Sequence, residues 1–458
     1  MEIIVFILYL FGLSLLVFRS KFFRVEGIKK LLLVFLWILK LIVGVYFYAI
    51  SVGHPPNNEV KLSKDFFASS GKLYWIHSRE PALFMDFMVG SGSNSEKYKE
   101  EVEKIGKKWN QGNENGIVND NRTVIRINTL LHFISFRFYS VQMLFMCFLS
   151  FVGSVLLFKA FPKEGKKQIY AATIACFLVP SLLFWSVGVM KEPLLLLGLG
   201  GFLFYFRKII VKFSFLSLVL LLLSIGLLLC LKIYIFAVVF PMMLVFFWCQ
   251  KQPRLTVLKY LAATILFGTL FLLSHRYFPQ KQIDVVHAVS VKNQQLYNIF
   301  LENNEAVTFQ TPHLDGSIES LVKNIPLAAY NSLTKPIAYP MDSLAKVCTN
   351  LETLILALLL VVCLIFGNYK RFIHNNFAIF CTVVAIYGFL LIGLTTHEMG
   401  MIMRYKSLFL PFYLFGLIHL LDTEKVMHFL KIRKRHKKNE FDAIKNFEER
   451  IGKMTRYR

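Results

Sequence analysis

Residues 180–193 read PSLLFWSVGVMKEP and join two long apolar runs of the chain. This junction contains Lys191 and Glu192 side by side, followed by Pro193. Charges between membrane segments are costly unless they face water or each other, so we expect both at a membrane surface. They are either part of a substrate site or a break between helices whose charged heads reach to the interface. The sequence leaves both interpretations open.

The composition of the 458-residue chain is that of an integral membrane protein, with 56% hydrophobic and 17% charged residues. A helix that crosses the bilayer needs about 20 apolar residues, and runs of that length recur from end to end. The net charge of +24 does not indicate a nucleic-acid partner, because the basic residues cluster in short links and in the tail. Such clustering is how membrane topology is encoded. We therefore expect an all-α integral membrane protein that binds no nucleic acid.

The apolar runs predict a bundle of about eleven transmembrane helices. Alternate links between them are basic, so the positive-inside rule places these links and the C-terminus in the cytoplasm and the N-terminus outside. The predicted spans are residues 2–18, 31–51, 140–160, 168–188, 193–211, 213–231, 233–249, 256–274, 352–367, 376–395 and 406–422.

This topology divides the chain into membrane regions and two large extracytoplasmic loops. All of the candidate chemistry falls in those loops or in short turns on the same side, so we expect it on one face. The regions are the first two helices (1–51), the first extracytoplasmic loop (52–139), a transmembrane core (140–274), the second extracytoplasmic loop (275–351), the last three helices (352–422) and a basic cytoplasmic tail (423–458).

Three further features carry expectations about placement. Residues 123–139 are apolar with spaced basic residues, which is typical of an amphipathic helix at the interface. Lys40 lies near the middle of a predicted span, so its charge should face the bundle interior, a water-filled cavity or the interface. Lys232 lies between two spans near the predicted outer face, and we interpret it as interfacial.

Neither a cofactor nor a metal site is predicted. The chain has no phosphate-binding glycine loop, no HExxH and no GxSxG motif. Its seven cysteines lie in or beside apolar runs, without CxxC spacing or a neighbouring histidine, so we interpret them as small core residues. The glycines of LLGLGGFL, residues 196–203, lie inside a span and predict a close approach of two helices.

A second charged segment precedes the last span. Residues 397–406 read HEMGMIMRYK and place Arg404 and Lys406 on the predicted outer side, against the positive-inside rule. Residues that break a general rule are candidates for function. An arginine fork and a lysine point charge suit a phosphate or pyrophosphate group. The alternative is an ion pair with Glu398 or Glu192, since structural ion pairs also cluster charges.

Three short motifs resemble those of polytopic bacterial envelope glycosyltransferases and polysaccharide polymerases of the GT-C-like type. PSLLFWSVGVMKEP is similar to their P…FWSSG…KE/KD element, and HEMGMIMRYKSLFLPF is similar to their N.G…RYK…P segment. IPLAAYNSLTKPIAYPMDSL, with Leu351 and Glu352, looks like their P…L.RP…LE stretch. The chain departs from these patterns at Val187, His397 and Lys335, where Ser, Asn and Arg are common in the family.

The resemblance implies glycosyl transfer or polymerisation from a sugar carried on a polyprenyl phosphate, at the outer face of a bacterial inner (cytoplasmic) membrane. In such enzymes an acidic residue of the first outer loop takes the proton of the acceptor hydroxyl. Cationic side chains stabilise the departing lipid phosphate. On this interpretation the base is Asp65 or Asp86. The substrate-binding residues that the motifs imply are Trp185, Ser186, Lys191, Glu192, Lys335, Arg404 and Lys406.

Two other classes of protein remain open, and the oligomeric state is not predicted. One is a flippase or transporter of a lipid-linked glycan, and the other is a non-enzymatic structural subunit of an envelope assembly. A transporter should place its charges along a path through the middle of the membrane, whereas an enzyme should gather them at one face. Only Lys40 lies deep within a predicted span while many charges lie outside, which favours the enzyme.

Overall fold

The computed structural model describes residues 1–53, 58–91, 95–110, 119–277, 284–302, 309–337 and 344–431. Within these ranges every regular element is a helix. Eight helices of the described part are long and apolar enough to cross a membrane, and the number is nine if one bent pair counts as a single span. The structure is therefore all-helical and compatible with a multi-pass membrane protein. Residues 432–458 of the predicted basic tail lie outside the described residues.

Twenty α-helices are assigned in this part of the chain, together with a 3₁₀ turn (Lys21–Phe23) and a π-helix (Ile174–Leu178). They are α1 (Glu2–Arg19), α2 (Lys30–Val52), α3 (Asn58–Arg79), α4 (Pro81–Val89), α5 (Glu96–Ile105), α6 (Lys107–Asn110), α7 (Asp120–Ser135), α8 (Tyr139–Ala160), α9 (Lys166–Thr173), α10 (Pro180–Trp185), α11 (Lys191–Val211), α12 (Phe215–Lys251), α13 (Thr256–Tyr277), α14 (Val285–Glu302), α15 (Ile318–Thr334), α16 (Leu344–Phe366), α17 (Tyr369–Ile373), α18 (Asn376–Thr395), α19 (Met399–Lys406) and α20 (Leu410–Leu420).

Helix α8 lies at the centre of the bundle and α1 at its edge. The most apolar stretch of α8 is 78% buried, against 6% for α1. Glycines allow α8 and α11 to approach closely, since a Cβ atom at Gly200 would lie 2.2 Å from the carbonyl oxygen of Gly153. A Cβ atom at Gly153 would lie 2.6 Å from the carbonyl oxygen of Leu196. The close approach predicted from LLGLGGFL is confirmed, and the two helices run in the same direction.

The predicted span 168–188 is broken into α9, the π-helix and α10. The break falls at Val179, whose backbone is extended (φ −68°, ψ 115°). A residue that precedes proline is disfavoured in the helical region, and proline itself fits the first helical position. Pro180 therefore ends one helical segment and begins the next.

Helix α12 covers nearly all of the predicted span 213–231 and all of the span 233–249. As a straight helix its 37 residues would extend about 55 Å, well beyond a hydrocarbon core of about 30 Å. It is interrupted at Lys232, whose φ of −153° and ψ of 88° are not helical. In the half before this break, Leu228 lies against Gly198 and Ser224 against Gly201. That half therefore runs antiparallel to α11.

The half of α12 after Lys232 runs parallel to α11. Phe236 packs on Phe202 with ring centroids 5.5 Å apart. Phe247 packs on Phe206, again at 5.5 Å. Because the two halves follow α11 in opposite directions, α12 folds back on itself at Lys232. This turn lies at the end of the bundle where α11 begins.

The regions predicted as polar loops are built largely from helices. Residues 123–139 are indeed mostly helical, as α7, which ends where Phe136 and Arg137 adopt left-handed φ angles of 51° and 64°. Helix α7 packs on α3. Across this contact the Thr129 hydroxyl donates a hydrogen bond to the Ser70 carbonyl oxygen at 3.2 Å. In the second loop, α15 packs closely on α18. The helices of the first loop carry Asp65, Asp86 and Asp120, which are considered below.

Candidate functional site

Five charged side chains converge where α11 begins, where α7 begins, where α12 folds back and where α19 ends. Four segments that are distant in sequence contribute to this group. We call it the charged cluster, and its members are Asp120, Lys191, Glu192, Lys232 and Arg404.

The start of α11 is held in place by its neighbours. Met190 is extended (φ −139°, ψ −172°), so the helix begins at the next residue, Lys191. Pro193 lies in the first turn, where a missing N–H removes no intrahelical hydrogen bond. The Val189 N–H donates to Ser63 Oγ at 2.8 Å, which ties the loop before α11 to α3.

Two ion pairs form the centre of the charged cluster. Lys191 Nζ lies 2.6 Å from Asp120 Oδ2, and Arg404 Nε lies 3.0 Å from Glu192 Oε1. The side chain of Glu192 is only 2% exposed and that of Arg404 only 10%. The ion pair that the sequence offered as an alternative for Arg404 is therefore present. Its burial makes it a structural contact as well as a candidate binding group.

The first of these pairs keeps Asp120 ionised. Burial alone would raise the pKa of this carboxyl, but the charge and hydrogen bond of Lys191, together with the charges of Lys292 and Lys232, hold the pKa below its usual value. Asp120 is the first helical residue of α7, where a negative charge also interacts favourably with the helix dipole. Asp120 could not be recognised from the sequence, because a single aspartate in a loop carries no local signal.

Lys232 joins the charged cluster from the turn of α12. It is only 7% exposed, and its Nζ lies 3.0 Å from the centroid of the Tyr405 ring. Tyr405 also accepts a hydrogen bond from Arg404 Nη2 at 3.1 Å. Lys232, which the sequence predicts to be interfacial, is buried beside Arg404.

Positive charge exceeds negative charge within the cluster. Asp120 and Glu192 are each paired with one cation, which leaves Lys232 without a carboxylate within salt-bridge distance among the described residues. Lys108 on α6 lies close enough to sense the cluster. Burial is the main cause of its lowered pKa; Asp65 opposes this effect, and the charges of Lys191 and Arg404 add to it. A site of this kind favours an anionic ligand.

The two candidate bases are placed differently. Asp65 is half-buried on α3, next to Phe66, whose ring centroid lies 5.8 Å from Lys191 Nζ. Lys108 responds to the charge of Asp65 as well as to those of Lys191 and Arg404, which places Asp65 near the charged cluster. Asp86 is on α4 and accepts a hydrogen bond from Ser91 Oγ at 2.8 Å. No contact in the described part of the chain joins Asp86 to the cluster.

Lys406 and Lys335 do not join the charged cluster. Lys406 is 3% exposed, and its Nζ donates to the carbonyl oxygens of Ser332 at 3.2 Å and Lys335 at 3.1 Å. These carbonyls belong to the end of α15, where acceptors lack intrahelical partners. Lys335 itself lies 5.6 Å from the centroid of the Phe309 ring. Both residues thus contact the end of α15 and its surroundings.

Glu352 caps the start of α10. Its two carboxylate oxygens accept from the backbone N–H and the hydroxyl of Ser181, each at 2.7 Å. This caps the helix that leads into the junction of residues 180–193. The acidic residue of the third motif therefore positions the first motif.

The remaining motif residues are buried behind the charged cluster. Trp185 is 3% exposed, and Ser186 Oγ accepts a hydrogen bond from Lys40 Nζ at 2.7 Å. Lys40 is 2% exposed, so its deep charge contacts the loop that leads to Lys191. The sequence did not connect these residues, because 146 positions separate Lys40 from Ser186.

Comparisons with known proteins do not add a family. No model of a known protein family matches the chain, and neither a curated protein nor a solved structure matches it. The resemblance to GT-C-like enzymes therefore stays a prediction carried by the three motifs. Among the described residues, no group of three or more His, Cys, Asp or Glu side chains is arranged to hold a metal ion.

Proposed function

We propose that the protein transfers or polymerises glycosyl units from polyprenyl-phosphate-linked sugars at the outer face of a bacterial inner membrane. The observation that carries this proposal is the charged cluster, in which Lys191, Lys232 and Arg404 outnumber Asp120 and Glu192. An excess of buried cations favours an anionic ligand such as a phosphate. A site beside the long apolar helices α11 and α12 favours a phosphate that is attached to a lipid.

The proposal includes a topology of eleven crossings. It counts α12 as two crossings, because its halves run in opposite directions along α11. It also counts residues 168–188 as one broken crossing and the bent pair α19 and α20 as another. The N-terminus and the loops 52–139 and 275–351 are then outside, and the C-terminus is cytoplasmic. The positive-inside rule supports this orientation.

In the proposed reaction, the acceptor hydroxyl attacks the anomeric carbon of the donor sugar. The new C–O bond forms while the bond to the lipid phosphate breaks, so negative charge grows on the leaving phosphate. Arg404 and Lys191 stabilise that charge, which is larger in the transition state than in the bound donor. Asp65 accepts the proton of the acceptor hydroxyl. The products are the extended glycan and the free lipid phosphate.

Asp65 suits the base role better than the other acids nearby. No hydrogen-bond partner among the described residues occupies its carboxylate, and it is half-buried beside the charged cluster. Asp120 is bound to Lys191 at 2.6 Å, which disfavours its protonation. Asp86 lies apart from the cluster. These differences favour Asp65 among the candidates.

Variants of Asp65, Asp86 and Arg404 test this proposal in membranes, with glycan formation and protein abundance measured in parallel. We expect Asp65→Asn to abolish transfer at normal abundance, and Asp86→Asn to be a matched control with near-normal activity. Arg404→Ala should lower the rate about a hundredfold, equivalent to about 3 kcal/mol of barrier. Arg404→Lys should be less harmful, because it keeps the charge and loses the fork.

The outcomes separate the open classes. Full activity in both Asp65→Asn and Arg404→Ala would reject the assigned roles. An inactive Asp86→Asn beside an active Asp65→Asn would move the base and keep the reaction. If the parent protein makes no glycan, the alternatives are a flippase or transporter of a lipid-linked glycan, or a structural subunit of an envelope assembly.

A further inference from the structure

We infer that Lys232 binds the phosphate group of the substrate, as a third cationic ligand beside Lys191 and Arg404. That this phosphate is attached to a lipid rests on the proposed function. The anion site itself follows from the arrangement of charges and can be tested without any transfer reaction.

Lys232 interrupts helix α12 at a position that does not require a lysine. It is the one non-helical residue inside the 37-residue helix α12, and it forms the turn at which the helix folds back. Its φ of −153° is negative, so this conformation does not require glycine. The backbone therefore does not require lysine here. An apolar residue would be less costly at a position that is only 7% exposed.

The other two cations of the charged cluster each have a carboxylate partner. Lys191 is matched by Asp120, and Arg404 is matched by Glu192. In the described part of the chain, no carboxylate lies within salt-bridge distance of Lys232 Nζ. The Tyr405 ring, whose centroid is 3.0 Å away, compensates only in part for lost hydration. An anion from outside the chain would supply the missing counter-charge.

Lys232 and Arg404 both contact the side chain of Tyr405. Lys232 Nζ lies over the face of its ring, and Arg404 Nη2 donates to its hydroxyl at 3.1 Å. Two cations from distant helices thus meet on one phenol. A phosphate has several acceptor oxygens, so it can contact the arginine fork and the lysine together.

Tyr405 itself is the alternative counter-ion. If its phenol were ionised, Lys232 would already be neutralised and the surplus charge would vanish. Tyr405→Phe separates the two cases, because it keeps the ring and removes the ionisable hydroxyl. If Tyr405 is ionised in the parent, the Tyr405→Phe variant should bind an anionic ligand more tightly than the parent. If Tyr405 is neutral in the parent, the variant's affinity for the ligand should differ little from the parent's.

The test measures binding of dodecyl phosphate to the full-length purified protein in a neutral detergent. We expect Lys232→Met to weaken binding about tenfold, the size expected for one hydrogen bond to a charged group. Lys232→Arg should retain most of the affinity. Lys251→Met is the matched control, since Lys251 is exposed at the far end of the same helix, and it should bind normally. Gel filtration and thermal unfolding verify that each variant is folded.

Inorganic phosphate serves as the competitor that distinguishes a lipid phosphate from a free one. Weak competition supports a lipid-linked ligand, and complete competition at equal concentration supports a free phosphate ligand at the same cations. A folded Lys232→Met protein with unchanged affinity for dodecyl phosphate would overturn the inference. So would tighter binding by Tyr405→Phe. A parent that binds dodecyl phosphate through Lys232 but makes no glycan would reject the transfer reaction and leave the anion site standing.

Discussion

The two ends of the helix bundle use similar basic side chains in different ways. At the charged cluster, Lys191 and Arg404 pair with carboxylates from distant segments. At the other end of α11, about 30 Å away, the lysines contact backbone carbonyl oxygens instead. We call this second group the basic end. Lys159 donates to the carbonyl of Phe22, Lys167 to that of Leu421 at 2.7 Å, and Lys425 to that of Gly367 at 3.1 Å.

The choice of partner explains the different roles of the two ends. Carbonyl oxygens at helix ends lack intrahelical partners and carry partial negative charge. A lysine that binds them caps the helix, and no full negative charge neutralises it. The basic end therefore keeps the net positive charge from which topology is read. In the charged cluster Lys191 and Arg404 are instead paired with full negative charges in a largely buried setting, which is costly and geometrically specific. Lysine alone does not distinguish the two cases; its partner does.

The largest expected effect concerns Glu192 in the charged cluster. Glu192→Gln removes the carboxylate that lies 3.0 Å from the buried Arg404 Nε, which should lower the free energy of unfolding by about 3–5 kcal/mol. Thermal unfolding in detergent measures the loss. The double variant Glu192→Gln/Arg404→Gln should lose less than the sum of the two single variants, because it removes both charges. A Glu192→Gln protein as stable as the parent would remove the distinction between the two ends.

The next effect depends on pH and concerns Asp120. Its folded pKa is depressed, because the charge and hydrogen bond of Lys191 and the charges of Lys292 and Lys232 together outweigh burial. Such a group stabilises the fold above its unfolded pKa of about 3.9, and this contribution is lost as the pH falls through the folded pKa. Asp120→Asn should therefore be less stable than the parent at pH 7 and equally stable in strong acid. A stability difference that stays constant down to pH 3 would contradict this assignment.

Much of the bundle could be predicted from sequence, because long apolar runs leave few alternatives in a membrane. The close approach at Gly200 and the interruption at Lys232 also have local signals. The partners of the charges do not. Arg404 and Lys406 are two positions apart, yet one contacts Glu192 and the other contacts the end of α15. Residues two apart on a helix face different directions, so only packing decides which reaches the cluster.

The smallest expected effect belongs to the basic end. Lys167→Gln removes one hydrogen bond to the Leu421 carbonyl, which should cost about 1 kcal/mol. The neighbouring Lys166 is exposed, so Lys166→Gln should change the free energy of unfolding by less than about 0.5 kcal/mol. Both variants should bind dodecyl phosphate like the parent, because neither contacts the charged cluster. If Lys167→Gln destabilised the protein as much as Glu192→Gln, carbonyl and carboxylate partners would be equivalent here. The chemical difference between the two ends would then have no energetic basis.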